Sequence, residues 1–148
     1  MNTGEETPAR LRGMPSRLLS MLATHAQRLV GEALADADAR TYHYALLAAL
    51  EEFGPASQAA LSRRTGIYRS DLVATINELA DRNLLERTPD PGDRRRNVIS
   101  LTPEGRRHLR RLDALLADAQ NDLLAPLSAV ERAELTGLLG RLLDHHAR

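Results

Sequence analysis

The stretch from Ser57 to Thr102, SQAALSRRTGIYRSDLVATINELADRNLLERTPDPGDRRRNVISLT, decides the fold. Ser57 can cap a short helix whose Ala60 and Leu61 point inward, and Gly66 then supplies a tight turn. A second helix, from about Arg69 to Arg82, buries Leu72, Ile76, Leu79 and Ala80 at helical spacing. Its other face offers Ser70, Asp71, Ala74, Thr75, Asn77 and Glu78. Leu84 to Thr88 and Asn97 to Leu101 read as strands. The eight residues between them, Pro89 to Arg96, hold two Pro, one Gly and two Asp, a composition that makes a loop. That loop should carry Arg94, Arg95 and Arg96 into solvent. Helix, turn, helix and two strands make a helix-turn-helix followed by a β-wing, and a small, polar outer face is what a major groove admits.

Working outward, residues 1–12 are polar and without period, and are expected to form a flexible arm. From Pro15 to Ala35 the pattern is helical, with Leu18, Leu22, Leu29 and Ala33 on one stripe and Leu19, Ala26 and Val30 beside it. A helix apolar on more than one side is usually sandwiched between others. Thr41 to Phe53 predicts another helix, stopped by Gly54-Pro55. Thr102-Pro103 opens a long one, with Leu109, Leu112, Leu116, Ala119 and Leu123 at helical spacing to about Leu124. Pro126 interrupts, and Ser128 with Glu131 forms a capping box for a last helix carrying Leu135, Leu138, Leu139, Leu142 and Leu143.

Composition narrows the classes. A chain of 148 residues fits one domain with a real core. Its apolar share is mostly Leu and Ala, with three Tyr, one Phe and no Trp, which favours helices over a β-sandwich. The absence of cysteine excludes disulfides, thiolate metal sites and a thiol nucleophile. No run approaches the roughly 18 apolar residues of a membrane span. The opening MNTGEETPARLRGMPSR lacks a signal peptide's apolar core, so a soluble, cytoplasmic protein is expected. Formal charge is zero, yet all 20 basic residues are arginine, and three stand together at 94–96. There is no Gly-x-Ser-x-Gly elbow, P-loop or His-Glu-x-x-His motif, so no enzyme and no cofactor are expected. His145 and His146, neighbours on a helix, point about 100° apart and make a poor chelating pair, so no metal is expected either.

Several motifs, in order, resemble the MarR family of bacterial transcription regulators. Asp93-Arg-Arg-Arg-Asn-Val-Ile-Ser-Leu101-Thr-Pro-Glu-Gly105 is similar to the family's wing signature of Asp, any residue, Arg, a strand ending Leu-Thr, and a helix containing Gly. Arg63-Arg64-Thr-Gly66-Ile and Leu79-Ala-Asp-Arg82-Asn-Leu84-Leu-Glu-Arg87 resemble its turn and the exit of its recognition helix, and the likeness runs over residues 15 to 145. It implies a mostly α (α+β) fold: a winged helix-turn-helix whose N- and C-terminal helices form a dimerisation bundle. Residues 13–148 would then be one domain, with 13–40 and 103–148 dimerising through Leu18, Leu22, Leu123, Leu135, Leu138 and Leu142, and 41–102 forming the DNA-binding lobe.

The same resemblance implies a homodimeric regulator, expected to be a repressor, on a pseudo-palindromic operator with half-sites about 34 to 36 Å apart. Arg95 would enter the minor groove, Arg94 and Arg96 would meet phosphates, and Asp93 would hold the wing by pairing with an arginine. Ser57 and Gln58 could present donors to phosphate at a helix N-terminus. Arg69, Ser70, Asp71, Ala74, Thr75 and Asn77 would face the major groove, where Asp71 could accept from cytosine N4. Tyr68 is a weak cap for that helix, and Asp71 and Glu78 repel phosphate. His25, Arg28, Tyr42 and His43 suggest an effector pocket for a small aromatic or phenolic anion. Two other classes remain: a helical dimerisation or adaptor protein on a winged-helix scaffold, and a metal-sensing regulator. An adaptor has no need of three arginines on a wing, and a metal sensor needs more His and carboxylate ligands than the chain assembles.

Overall fold

The computed structural model describes residues 6–147. In chain order the elements are α1 (Ala9–Arg12), α2 (Pro15–Ala35), α3 (Thr41–Phe53), β1 (Ala56–Ser57), α4 (Gln58–Thr65), α5 (Arg69–Asp81), β2 (Leu85–Asp90), β3 (Asp93–Leu101), α6 (Pro103–Leu123) and α7 (Ala129–His146). The fold is mostly helical, with one small antiparallel sheet of order β1-β3-β2. Within the segment expected to be a flexible arm, Ala9–Arg12 form one helical turn, while residues 1–5 lie outside the described residues.

Two compact units divide the chain, and their boundaries fall inside α2 and α6. One is Val30–Ala117. The other comprises the residues up to Leu29 together with those from Asp118 onward. The ends of both long helices help to close the first unit, through Leu34, Leu109 and Leu112.

The Val30–Ala117 unit has its own core. Leu46 and Leu47 of α3, Leu61 of α4, Leu72, Ile76 and Leu79 of α5, Ile99 of β3 and Leu112 of α6 are fully buried. Fully burying a leucine stabilises by roughly 1.5–3 kcal/mol, so this cluster sets where the helix-turn-helix sits. Ser57 caps α4, its Oγ accepting the Ala60 N–H at 3.2 Å. Gly66 ends that helix in the left-handed region (φ 71°), where other residues are strained. At the exit of α5 the backbone reverses through Asn83, at φ 60°. The Thr102 hydroxyl donates to Asn83 O at 2.7 Å and accepts the Gly105 N–H at 2.9 Å, capping α6. Gly105 is needed for this approach: a Cβ there would lie 2.2 Å from Leu84 O.

The wing differs from its expected form. β2 continues to Asp90 and β3 starts at Asp93, so the eight-residue loop shrinks to a two-residue turn, with a register shift between Pro89 and Asp90. Asp90 Oδ1 accepts the Gly92 N–H at 2.9 Å and Asp93 Oδ1 the Arg95 N–H at 3.1 Å, so side chains hold the turn and the start of β3. Arg94, Arg95 and Arg96 thus lie on a strand. β1, which pairs Ala56 with Ile99 and Ser57 with Val98, had no sequence signal at two residues long.

In the second unit Ser128 and Glu131 close the capping box at 3.2 and 2.9 Å. Arg132 donates to Asn121 Oδ1 at 2.8 Å and to Leu127 O at 3.1 Å, tying the end of α6 to the start of α7. Among the described residues of this unit only Ala119 is buried. Leu123 and Leu135 are half-buried, while Leu18, Leu22, Leu138 and Leu142 are exposed.

Candidate nucleic-acid interface

Between α4, α5 and the wing lies an open cleft of about 230 Å³, lined by Ser57, Gln58, Ala59, Arg69, Arg95, Arg96 and Asn97. Five of the side chains expected to meet DNA come together here: Ser57, Gln58, Arg69, Arg95 and Arg96. The lining carries three guanidinium groups and no carboxylate. The first-turn N–H groups of α4 add partial positive charge. β1 explains the proximity, because its pairing with β3 draws the start of α4 beside Asn97 and Val98. Asp93 accepts from the Arg95 backbone and stands 3.7 Å from Arg96 Nε, so it holds the turn and one guanidinium at once. Arg94 is exposed on β3 but does not line the cleft.

On α5 the exposed stripe is Ser70, Val73, Ala74 and Asn77, with Asp71 at its edge. Val73 was not singled out from the sequence, although its spacing to Ser70 and Asn77 is helical; it is 38% exposed. Thr75 corrects an expectation. It is 2% exposed, and its hydroxyl donates to Asp71 O at 2.7 Å, so it faces the core and cannot reach a groove. The helical period puts it beside Leu72 and Leu79, and its small polar character hid that position. Asn77 is exposed and its Oδ1 accepts from Arg87 of β2, linking helix and wing.

Glu78 is not a free charge. Its carboxylate pairs with the Arg40 guanidinium and accepts from His43 Nε2 at 2.7 Å. These bonds, His43 first and Arg40 second, hold its pKa below the ordinary carboxylate value. His43 Nδ1 accepts the Arg40 N–H at 3.1 Å, which leaves the proton on Nε2 to be donated to Glu78. The repulsion of phosphate expected from Glu78 is therefore largely neutralised within the protein.

His25 and Arg28 belong to one compact unit and Tyr42 and His43 to the other. His43, 5% exposed, is committed to capping α3 and holding Glu78. His25 lines a groove of about 660 Å³ in its own unit, with Arg12, Arg17, Leu18, Met21 and Leu22 among the lining side chains. No helix among the described residues is long and apolar enough to cross a membrane.

A helix-turn-helix braced by a three-stranded wing, with arginines beside the exposed helix face, defines the winged helix-turn-helix class. Comparison with known proteins narrows it. The sequence profile of the MarR family matches residues 39–96. The HTH-type transcriptional repressor NicR of Pseudomonas putida is 32% identical over 112 residues, 74% of this chain and 69% of NicR. A proposed transcriptional regulatory protein for the hcr operon of Thauera aromatica is 35% identical over 99 residues, 67% of this chain, which spans 60% of that relative's length. The crystal structure of the PcaV transcriptional regulator from Streptomyces coelicolor, in complex with its natural ligand, superposes with a TM-score of 0.77 at 31% identity, covering 93% of this chain and 97% of PcaV. The chain belongs to the MarR family of winged helix-turn-helix transcriptional regulators.

Proposed function

We propose that this protein is a homodimeric repressor that binds a pseudo-palindromic operator in duplex DNA. The observation that carries this reading is the cleft in which Arg69, Arg95 and Arg96 meet the N-terminus of α4 beside the exposed stripe of α5. A phosphate in that cleft would fix register, while Ser70, Asp71, Ala74 and Asn77 would meet base edges and Arg95 would reach the flanking minor groove. The second copy would be supplied by pairing through Leu18, Leu22, Leu123, Leu135, Leu138 and Leu142. Two-fold symmetry of the dimer then requires a matching symmetry in the operator. NicR is named a repressor, which supports repression as the output.

The test is a gel shift against DNA upstream of the protein's own gene, run at several salt concentrations. Arg95→Ala should weaken binding by about tenfold or more and lower the salt slope, leaving the protein folded. Unchanged affinity at fixed salt would overturn the role of Arg95. An Arg-independent, salt-insensitive association would favour an adaptor.

Regulation by a ligand is a second reading, supported by the groove around His25. Leu18, Met21 and Leu22 line it on the face proposed to pair, so a ligand there would lie at the dimer interface, and Arg12, Arg17 and His25 supply positive or hydrogen-bonding groups. That combination suits a small aromatic or phenolic anion. Such a ligand must favour a dimer geometry that misfits the operator, because equal affinity for both states shifts nothing. A thermal-shift screen of phenolic and heteroaromatic acids, followed by release from DNA, tests it.

A further inference from the structure

Tyr68 occupies the N-cap of α5 and makes no side-chain capping bond, so the helix forgoes the hydrogen bond that Ser, Thr, Asn or Asp would give. The residue is 81% exposed, the most of any large hydrophobic residue among the described residues. The turn beneath it is held firmly. Ile67, one residue earlier, is buried, its carbonyl accepts from the Ser62 hydroxyl at 2.7 Å, and its N–H donates to Thr65 Oγ1 at 3.3 Å. With Ile67 anchored inward and the Tyr68 backbone extended (φ −61°, ψ 147°), the next side chain is presented to solvent at the front of the recognition helix. Arg69, the following residue, lines the arginine cleft. A large ring thus stands where a capping residue would stabilise the helix, immediately before residues aimed at DNA.

We infer that Tyr68 is a DNA-contacting residue, its ring packing against deoxyribose or a thymine methyl at the edge of the major groove. This rests on the reading that α5 enters DNA. The chemistry fits: a phenol offers a rigid apolar face at little cost in rotamer entropy, and thymine's C5-methyl is the apolar feature of the groove. The contact is made by the ring and not by a charge, so it adds affinity without releasing counterions.

The experiment uses the full-length protein and a duplex that the wild type enriches from a random-sequence pool. Binding is measured by fluorescence anisotropy at several salt concentrations, and thermal stability is measured alongside. Tyr68→Ser removes the ring and installs a good cap: it should bind about tenfold more weakly with an unchanged salt slope and a melting temperature equal to or above wild type. Tyr68→Phe, which keeps the ring, should bind within about threefold of wild type. The inference is overturned if Tyr68→Ser binds like wild type, if its loss of affinity comes with a lower melting temperature, or if Tyr68→Phe is as weak as Tyr68→Ser. Failure of the wild type to enrich any duplex would sink the DNA-binding reading itself, a different result.

Discussion

The unit from Val30 to Ala117 and the helices outside it draw on the same leucine-rich and alanine-rich composition, yet they bury it differently. The first closes a core of eighteen buried apolar residues within one chain. The second buries only Ala119 among its described residues. It exposes Leu18, Leu19, Met21 and Leu22 on α2, Met14 just before that helix, and Val130, Leu138, Leu139, Leu142 and Leu143 on α7. Helices in water draw most of their stability from packing an apolar face, and large exposed apolar patches are a feature of interaction sites. The lesson is a division of labour: one unit buries its apolar groups within the chain, and the other leaves exposed the apolar surface proposed above to pair with a second copy.

The sharpest way to break this comparison is to charge the exposed face. Leu18→Asp combined with Leu142→Asp should convert the protein to a monomer in sedimentation velocity and reduce its helical circular dichroism, while the Val30–Ala117 core stays folded. A double variant that sediments like the wild type would end the idea. Next in size is Leu72→Ala, which opens a cavity in the closed core and should cost about 2–5 kcal/mol. Calorimetry over a range of protein concentrations separates the two units: the deficit of Leu72→Ala should not change on dilution, whereas that of Leu142→Ala should shrink as both proteins dissociate, because only the latter acts through association.

Gly105→Ala should be smaller, about 1–3 kcal/mol by denaturant unfolding. The added methyl meets the Leu84 carbonyl and Leu101 Cδ1, and rigid backbone must give way. The smallest effect concerns acid. Glu78 in the closed unit is held below its ordinary pKa of 4.5 by His43 and Arg40, and Glu131 in the open one by the backbone and hydroxyl of Ser128. A depressed carboxylate stabilises the folded state fully above its unfolded pKa and loses that contribution as pH falls through the lower folded value. Both Glu78→Gln and Glu131→Gln should therefore flatten the decline in melting temperature below about pH 4.5. Both groups are exposed, so each change should be slight.

Much of the fold was legible because its signals are local. Pro15 to Ala35 and Thr41 to Phe53 are marked by helical spacing and by Gly54-Pro55, and those spans are the observed α2 and α3. Ser57, Gly66 and Ser128 cap as their chemistry requires. The wing was harder. Two Pro and a Gly argued for a loop, but Asp90 and Asp93 supply bonds that keep the strands paired almost to the tip. Thr75 was misplaced because a small polar side chain on an amphipathic helix suits either face, and only packing against the core chose. His43 looked like a ligand-binding group. Its partner Glu78 is 35 residues away, a distance at which sequence pattern has no say.

The sequence by itself determined the order of the long helices, of the helix-turn-helix and of the two wing strands, the caps at Ser57, Gly66 and Ser128, and the family, since each depends on residues within a turn or strand of one another. The tertiary structure alone decided which arginines share a cleft with the start of α4, and that Glu78 is neutralised from α3. It alone decided which leucines find partners within the chain. These are questions of long-range pairing: the two-residue strand β1 has no pattern of its own, yet through its bonds to β3 it brings Gln58 and Arg95 to one site.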